Sequence, residues 1–220
     1  MTPEPATWTT PFLGPTREAD VVYDHSGNVT WRVVGENAVG YLKVGADLGA
    51  EADALGRLGS LHGEVGGMRI PELLAFEAGA DGGEDRLLTA EVPGRDLTHL
   101  VDDPARVVRM LADALLKLHS APIDLLGVVE EGGGGRSNLV IVHGDACLPN
   151  ILVDDAGERP IGLVDVGDMR IGRAEEDLAA ACWSIGFNIG IEWGGAFLGH
   201  YDWPHTDQDT VQALADAYGT

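Results

Sequence analysis

An aspartate and an asparagine five residues apart carry the most specific chemical signal in this sequence. They are Asp145 and Asn150, in the segment His143-Gly144-Asp145-Ala146-Cys147-Leu148-Pro149-Asn150, which follows the apolar run Leu139 to Val142. That spacing suits a phosphoryl-transfer loop, in which the Asp meets an attacking hydroxyl and the Asn amide oxygen reaches a metal ion. A second carboxylate, Asp165, stands between Val164 and Val166-Gly167 at the end of another apolar run. Magnesium takes hard oxygen ligands and few protein contacts, so a carboxylate at such a strand end suits it. Alone, Asp145 also fits a turn and Asp165 a cap. Together, in this order and about fifteen residues apart, they point to phosphoryl transfer.

Upstream, Tyr41-Leu42-Lys43 puts a lysine in a strand, and Glu51 falls in the first turn of the helix that follows. A kinase needs a cation to hold the α- and β-phosphates and a carboxylate to aim it. A solvated lysine and an acid favouring a helix N-terminus are the plainer alternative. Lys43 and Lys117 are the chain's two lysines, which makes chance placement less attractive.

The elements that must position these groups are legible in outline. Ala19 to Tyr23, Val29 to Val34 and Val39 to Val44 read as a β-meander, with Asp24-His25-Ser26-Gly27-Asn28 and Gly35-Glu36-Asn37 as its turns. Leu48, Ala52, Leu55 and Leu58 predict a helix from Leu48 to Leu61. Strands follow at Ile70 to Phe76 and Arg86 to Val92. Pro93-Gly94 is a natural exit from one lobe into another, giving lobes at 1–92 and 93–220. Asp103 caps a helix begun by Pro104, with Val107, Leu111, Leu115 and Leu118 as its stripe and an end near Ser120. Four glycines lie in a connection from Glu130 to Ser137. Strands at Leu139 to Val142, Ile151 to Val153 and Ile161 to Val164 precede an alanine-rich helix over Glu175 to Ile185. A last helix runs from about Asp207 to Tyr218, with Thr206 as its cap.

The 220 residues carry a formal charge of −22, which disfavours binding to nucleic-acid phosphates and favours a cationic ligand, although an acidic bias for solubility explains it equally well. No apolar run is long enough to span a membrane, and the polar, Pro-rich start lacks the marks of a secretory signal. Cys147 and Cys182 form no disulfide framework, so the expected compartment is the cytoplasm. Helical spacing and alanine neighbours favour core packing for Trp183, Trp193 and Trp203 over stacking on a ligand. His143 and His119 read as hydrogen-bonded structural histidines, and Met110 as core filler. Asp177 suits either orienting the 143–150 loop or a helix N-terminus, and Glu175 and Glu176 read as solvated.

The segment His143 to Asn150 resembles the aminoglycoside phosphotransferase family, in particular its 3′-phosphotransferase branch, nearly letter for letter. Glu91-Val92-Pro93-Gly94-Arg95-Asp96-Leu97 resembles the segment joining that family's two lobes, Val164-Asp165-Val166-Gly167 its metal-binding segment, and Glu175-Glu176-Asp177-Leu178-Ala179 the helix start after it. The resemblance implies an α+β, bilobal, protein-kinase-like fold. Its N-lobe is an antiparallel sheet plus one helix, and its C-lobe is mainly helical. It further implies ATP and Mg2+ as cofactors, with Asp145 as base and Asn150 and Asp165 as metal ligands. Lys43 would contact ATP phosphates under the aim of Glu51, Ser26 would lie in the turn over the phosphates, and the backbone at Glu91 and Val92 would hold the adenine edge. The implied activity is transfer of the γ-phosphate to a 3′-type hydroxyl of an aminoglycoside, conferring resistance.

Three departures bear on the substrate. The family carries several dozen residues between the helix ending near His119 and the catalytic-loop strand, where this chain has the short connection Ala121 to Ser137. The family's Arg after Gly167 is Asp168 here, and of a C-terminal acidic pair that grips amines Asp216 matches while Ala217 replaces the second acid. Kinase chemistry on another small hydroxylated metabolite or antibiotic, and a non-catalytic nucleotide-binding remnant, are therefore the competing readings. Intact Lys43, Asp145, Asn150 and Asp165 argue against the remnant.

Overall fold

The computed structural model describes residues 5–25, 27–59, 64–80, 83–126 and 139–218. The chain forms two compact units, one of Met1–Ser60 with Pro71–Glu91, the other of Leu61–Ile70 with Val92–Thr220.

In the first unit, helix α1 (Pro5–Leu13) leads into β1 (Thr16–His25), β2 (Asn28–Gly35) and β3 (Val39–Gly45), followed by helix α2 (Gly49–Leu58). The expected meander is present, each strand a residue or more longer than its apolar run. Burial alternates along β2 and β3, as it must when one face of a pleated sheet is covered. Leu13, Trp31, Val33, Leu42, Val44 and Leu88 form that buried face. Helix α1 was not foreseen, because its prolines, Pro11 among them, argue against a helix. Burial of Leu13 and packing of Trp8 on the sheet outweigh that cost. The approach is close enough to require glycine: a Cβ on Gly35 would stand 2.0 Å from the Leu13 carbonyl oxygen.

Two short strands, β4 (Glu64–Val65) and β5 (Met68–Arg69), then belong to the second unit, although the sequence placed them in the first lobe. The chain returns to the first unit as β6 (Leu73–Glu77) and β7 (Asp85–Ala90), completing an antiparallel sheet in the order β1-β2-β3-β7-β6.

The second unit continues with β8 (Arg95–Asp96), α3 (Pro104–His119), β9 (Leu139–Val142), β10 (Ile151–Val153), β11 (Pro160–Leu163), β12 (Arg170–Arg173), α4 (Ala174–Asn188), α5 (Gly194–His200) and α6 (Gln208–Ala217). Helix α3 starts as its sequence signals predict: Asp103 accepts from the Arg106 amide, and Pro104 fills a first-turn position whose N–H would have no partner. Its apolar stripe is wholly buried, Met110 included. It packs on α5, and α4 packs on α6. The β10–β11 hairpin is flanked by β8 and by β5, the latter parallel to β11. Asp207, not Thr206, caps α6, accepting from the Thr210 amide at 3.0 Å. The short, Gly-rich α5 and the strand β12 were missed, since neither has a long periodic pattern. Part of the predicted connection Ala121 to Ser137 lies outside the described residues. No described helix is long and apolar enough to cross a membrane.

Truncating Leu111, which is completely buried on α3, leaves a cavity that the neighbouring elements cannot refill. Leu111→Ala is expected to lower unfolding free energy by about 3 kcal/mol in denaturant titrations. A loss below about 1 kcal/mol would mean that this helix is not the core of its unit.

Candidate active site

In the second unit, β9 ends at Val142 and the chain turns sharply through His143 and Gly144. Gly144 has φ +90°, and a Cβ there would lie 2.7 Å from that of Asp168. Only glycine fits that turn. Two amides in the turn point at one carboxylate: the His143 N–H donates to Asp177 Oδ2 at 2.8 Å and the Gly144 N–H to Oδ1 at 2.9 Å. Asp177 sits in the first turn of α4 and is fully buried. His119, the last residue of α3, places Nε2 3.0 Å from Asp177 Oδ2 and Nδ1 2.7 Å from the Tyr201 hydroxyl. His119 donates to Asp177 and is hydrogen-bonded to Tyr201 on its other side. Burial pushes the Asp177 carboxyl up, but the bonds from His119 and the His143 amide outweigh it and hold its pKa below the ordinary value. Burial and the Asp177 charge push Tyr201 up to about 12, so it keeps its proton. Of the two roles the sequence allowed Asp177, the loop-orienting one is the role seen.

His143 is also buried. Its Nε2 donates to the Val164 carbonyl at 3.0 Å, and its Nδ1 accepts from the Asp145 amide at 3.3 Å. It is a hydrogen-bonded structural residue, as expected, and it ties the loop to the strand leading into Asp165. The β10–β11 hairpin completes that tie: Ile151 pairs with Leu163, and the Val164 N–H donates to the Asn150 carbonyl at 3.0 Å. Asn150 therefore lies opposite the residue before Asp165. The Asn150 amide nitrogen donates to the Asp145 backbone oxygen and to Asp145 Oδ2, both at 2.9 Å. That arrangement leaves the amide oxygen as the atom with which Asn150 would hold a cation. Asp165 adopts left-handed backbone, φ 54° and ψ 49°, an uncommon conformation for a residue with a side chain. A carboxylate and an amide oxygen suit Mg2+, which keeps most of its coordination sphere as water.

The other face of Asp145 holds a residue that the sequence reading did not single out. The Tyr218 hydroxyl donates to Asp145 Oδ1 at 2.6 Å. Burial and the bond to Asp145 raise its pKa, so it remains a donor. The signal was present, because Val211, Ala215 and Tyr218 follow helical spacing up to the residue that ends α6. Ser184 on α4 was missed too; its Oγ accepts from the Leu148 amide at 2.9 Å. Burial, then the neighbouring Asp145, pushes the Cys147 thiol up to about 12, which makes it an inert packing group.

In the first unit, Lys43 on β3 meets Glu51 in the first turn of α2. Its Nζ lies 2.9 and 2.7 Å from the two carboxylate oxygens. Glu91 is not simply a backbone residue: its Oε1 accepts from Arg32 Nε at 2.8 Å, and that bond raises the Arg32 pKa. Its N–H already donates to the Val39 carbonyl. Val92 is buried against Gly162, where any side chain would collide with it. Ser26 lies outside the described residues.

Asp216 is exposed and accepts from Gln212 at 2.8 Å, and the group that reaches Asp145 from the C-terminal segment is Tyr218. Two other expectations need correction. Glu176 is not simply solvated, because it pairs with Arg170 and accepts from the Arg173 amide at 2.7 Å. None of Trp183, Trp193 and Trp203 is a buried core residue, and Trp183 is 42 % exposed. The apolar face of α4 is already supplied by Leu178, Ala181, Cys182 and Ile185.

The profile of the phosphotransferase enzyme family matches residues 135–214. The aminoglycoside 3′-phosphotransferase of Streptomyces ribosidificus is 27% identical, over 84% of this chain and 88% of its own. The chain is similar to the aminoglycoside phosphotransferases. Among solved structures, aminoglycoside-3′-phosphotransferase of type VIII superposes with a TM-score of 0.64 at 23% identity, covering 90% of each chain. A thermostable mutant of the aminoglycoside phosphotransferase APH(4)-Ia, in ternary complex with AMP-PNP and hygromycin B, gives 0.70 at 11% identity, over 95% of this chain and 87% of its own. At such identities the likeness establishes the fold, which is the kinase-like α+β architecture of that family.

Asp177→Asn removes the charge and leaves one loop amide without an acceptor. It is expected to cost about 3 kcal/mol at neutral pH. Because the folded Asp177 titrates below its unfolded value, the stability it contributes is full above about pH 4 and is lost as pH falls through the folded value. Denaturation of both proteins across that range should show the gap narrowing in acid; a gap independent of pH would contradict the assignment.

Proposed function

We propose that this protein transfers the γ-phosphate of ATP to a 3′-type hydroxyl of an aminoglycoside, a modification that confers resistance. The supporting observation is the loop itself: Asp145 is held by Asn150, which keeps an amide oxygen for a cation, with Asp165 next in the paired strand. Asp145 is the base; it accepts or orients the proton of the attacking hydroxyl. Asn150 and Asp165 would hold magnesium, which would offset charge on the phosphate oxygens. Lys43, aimed by Glu51, contacts the α- and β-phosphates. Ser26 is assigned to the turn over the phosphates, and the backbone at Glu91 and Val92 to the adenine edge. Positioning and electrostatics supply most of the acceleration, since the transferred group needs little covalent help. A relative of the same fold, solved with AMP-PNP and hygromycin B, supports this pair of substrates.

The net charge of −22 favours capture of a polycationic acceptor. Asp216 remains the candidate for pairing with its ammonium groups. The exposure of Asp216 and its bond to Gln212 favour, as a second reading, a small hydroxylated acceptor outside the aminoglycosides. Both cysteines are buried free thiols, consistent with a cytoplasmic enzyme.

Incubation with Mg·ATP and kanamycin, read by mass, should show an added phosphate on the drug. Asp145→Asn is expected to lower kcat by about a hundredfold or more while leaving KM for ATP within about twofold. Equal turnover by the variant and the wild type would remove Asp145 from its role.

A further inference from the structure

Trp183 and Phe187 lie one turn apart on α4 and so share a face of that helix. Their rings stack nearly parallel, 5.5 Å apart with 7° between planes. The Tyr218 ring joins them, 5.4 Å from Trp183 and tilted by 46°. Trp183 is 42 % exposed and Phe187 77 % exposed, so this is apolar surface that folding leaves in water. It is continuous with the base, because the phenol of the third ring donates to Asp145 Oδ1 at 2.6 Å.

We propose that Trp183, Phe187 and Tyr218 form the acceptor subsite, an aromatic platform for a ring-bearing, cationic hydroxyl compound whose reacting hydroxyl meets Asp145. The proposal rests on the phosphotransfer reading for the role of Asp145. A hydroxyl that gives its proton to Asp145 must come within hydrogen-bonding distance of that carboxylate. The Tyr218 hydroxyl holds such a position, and its ring adjoins Trp183, so an acceptor that approaches Asp145 from the Tyr218 side meets these aromatic rings. Amino-sugar and aminocyclitol rings present C–H faces and ammonium groups, and aromatic faces attract both. Tyr218 has a second effect. Asn150 holds Oδ2 of Asp145 and Tyr218 holds Oδ1, so the carboxylate is fixed in rotation and each oxygen retains a lone pair for the acceptor. Tyr218 is thus a positioning residue for the base as well as part of the platform.

The test uses kanamycin and the full chain. Calorimetry measures kanamycin affinity in the presence of Mg·AMP-PNP, and steady-state kinetics measures its turnover with Mg·ATP. Trp183→Ala should weaken kanamycin affinity about tenfold with KM for ATP unchanged, and Trp183→Phe should restore most of the loss. Tyr218→Phe keeps the ring and loses the hydrogen bond, so kcat should fall about tenfold with kanamycin affinity preserved. Thermal melts of the variants, all altered outside the buried core, verify folding. Wild-type affinity in Trp183→Ala, or no kanamycin binding by the wild type, overturns the subsite. Binding that Trp183→Ala weakens, with no phosphorylation by any form, supports the subsite and sinks the phosphotransfer reading instead.

Discussion

One buried carboxylate organises the reactive part of this molecule. Asp177 accepts hydrogen bonds from two consecutive loop amides and from His119, and so joins the end of α3, the start of α4 and the turn after β9. Removing a charge from water is expensive, and three donors are what make its burial tolerable. The converse also holds: without Asp177, two amides in a tight glycine turn would be left inside the protein with no acceptor. The direction in which Asp145 leaves that turn is therefore set by a residue that never touches a substrate in the proposed reaction.

From that point the site is assembled by short backbone links. His143 reaches across to the Val164 carbonyl, and the β10–β11 hairpin pairs Asn150 with Val164. The spacing of five residues between Asp145 and Asn150 allows the loop to close on itself, with the amide of one residue on the carboxylate of the other. Positive φ at Gly144 precedes this closure without steric cost, and the left-handed backbone of Asp165, uncommon for a residue with a side chain, follows it. The first unit has its own simpler device: a strand lysine and a carboxylate in the first turn of the following helix, joined by two short bonds.

Much of this was legible in the sequence, for reasons that differ by residue. Lys43, Glu51, Asp145, Asn150 and Asp165 stand out because their spacing follows from backbone geometry within a strand, a turn or a hairpin. Helix α3 was readable to its cap, since Asp103 and Pro104 act locally. What could not be read depends on contacts distant in sequence. Helix α1 forms against its prolines because a sheet face elsewhere needs covering. Residues 64–70 join the second unit by pairing with β11, which local pattern does not disclose. Trp183 has the spacing of a core residue, yet the small and aliphatic residues around it on α4 fill the interior and turn it outward. Tyr218 reaches Asp145 across 73 positions, a distance over which periodicity shows a helical face but not its partner.

The convergence of Asn150 and Asp165 on one cation is the claim on which the proposed chemistry depends. A crystal structure of the protein with magnesium and AMP-PNP tests it most directly. A cation within about 2.1 Å of Asn150 Oδ1 and of an Asp165 carboxylate oxygen, with water completing an octahedron, is the expected result. Magnesium bound to the nucleotide without either side chain would contradict it.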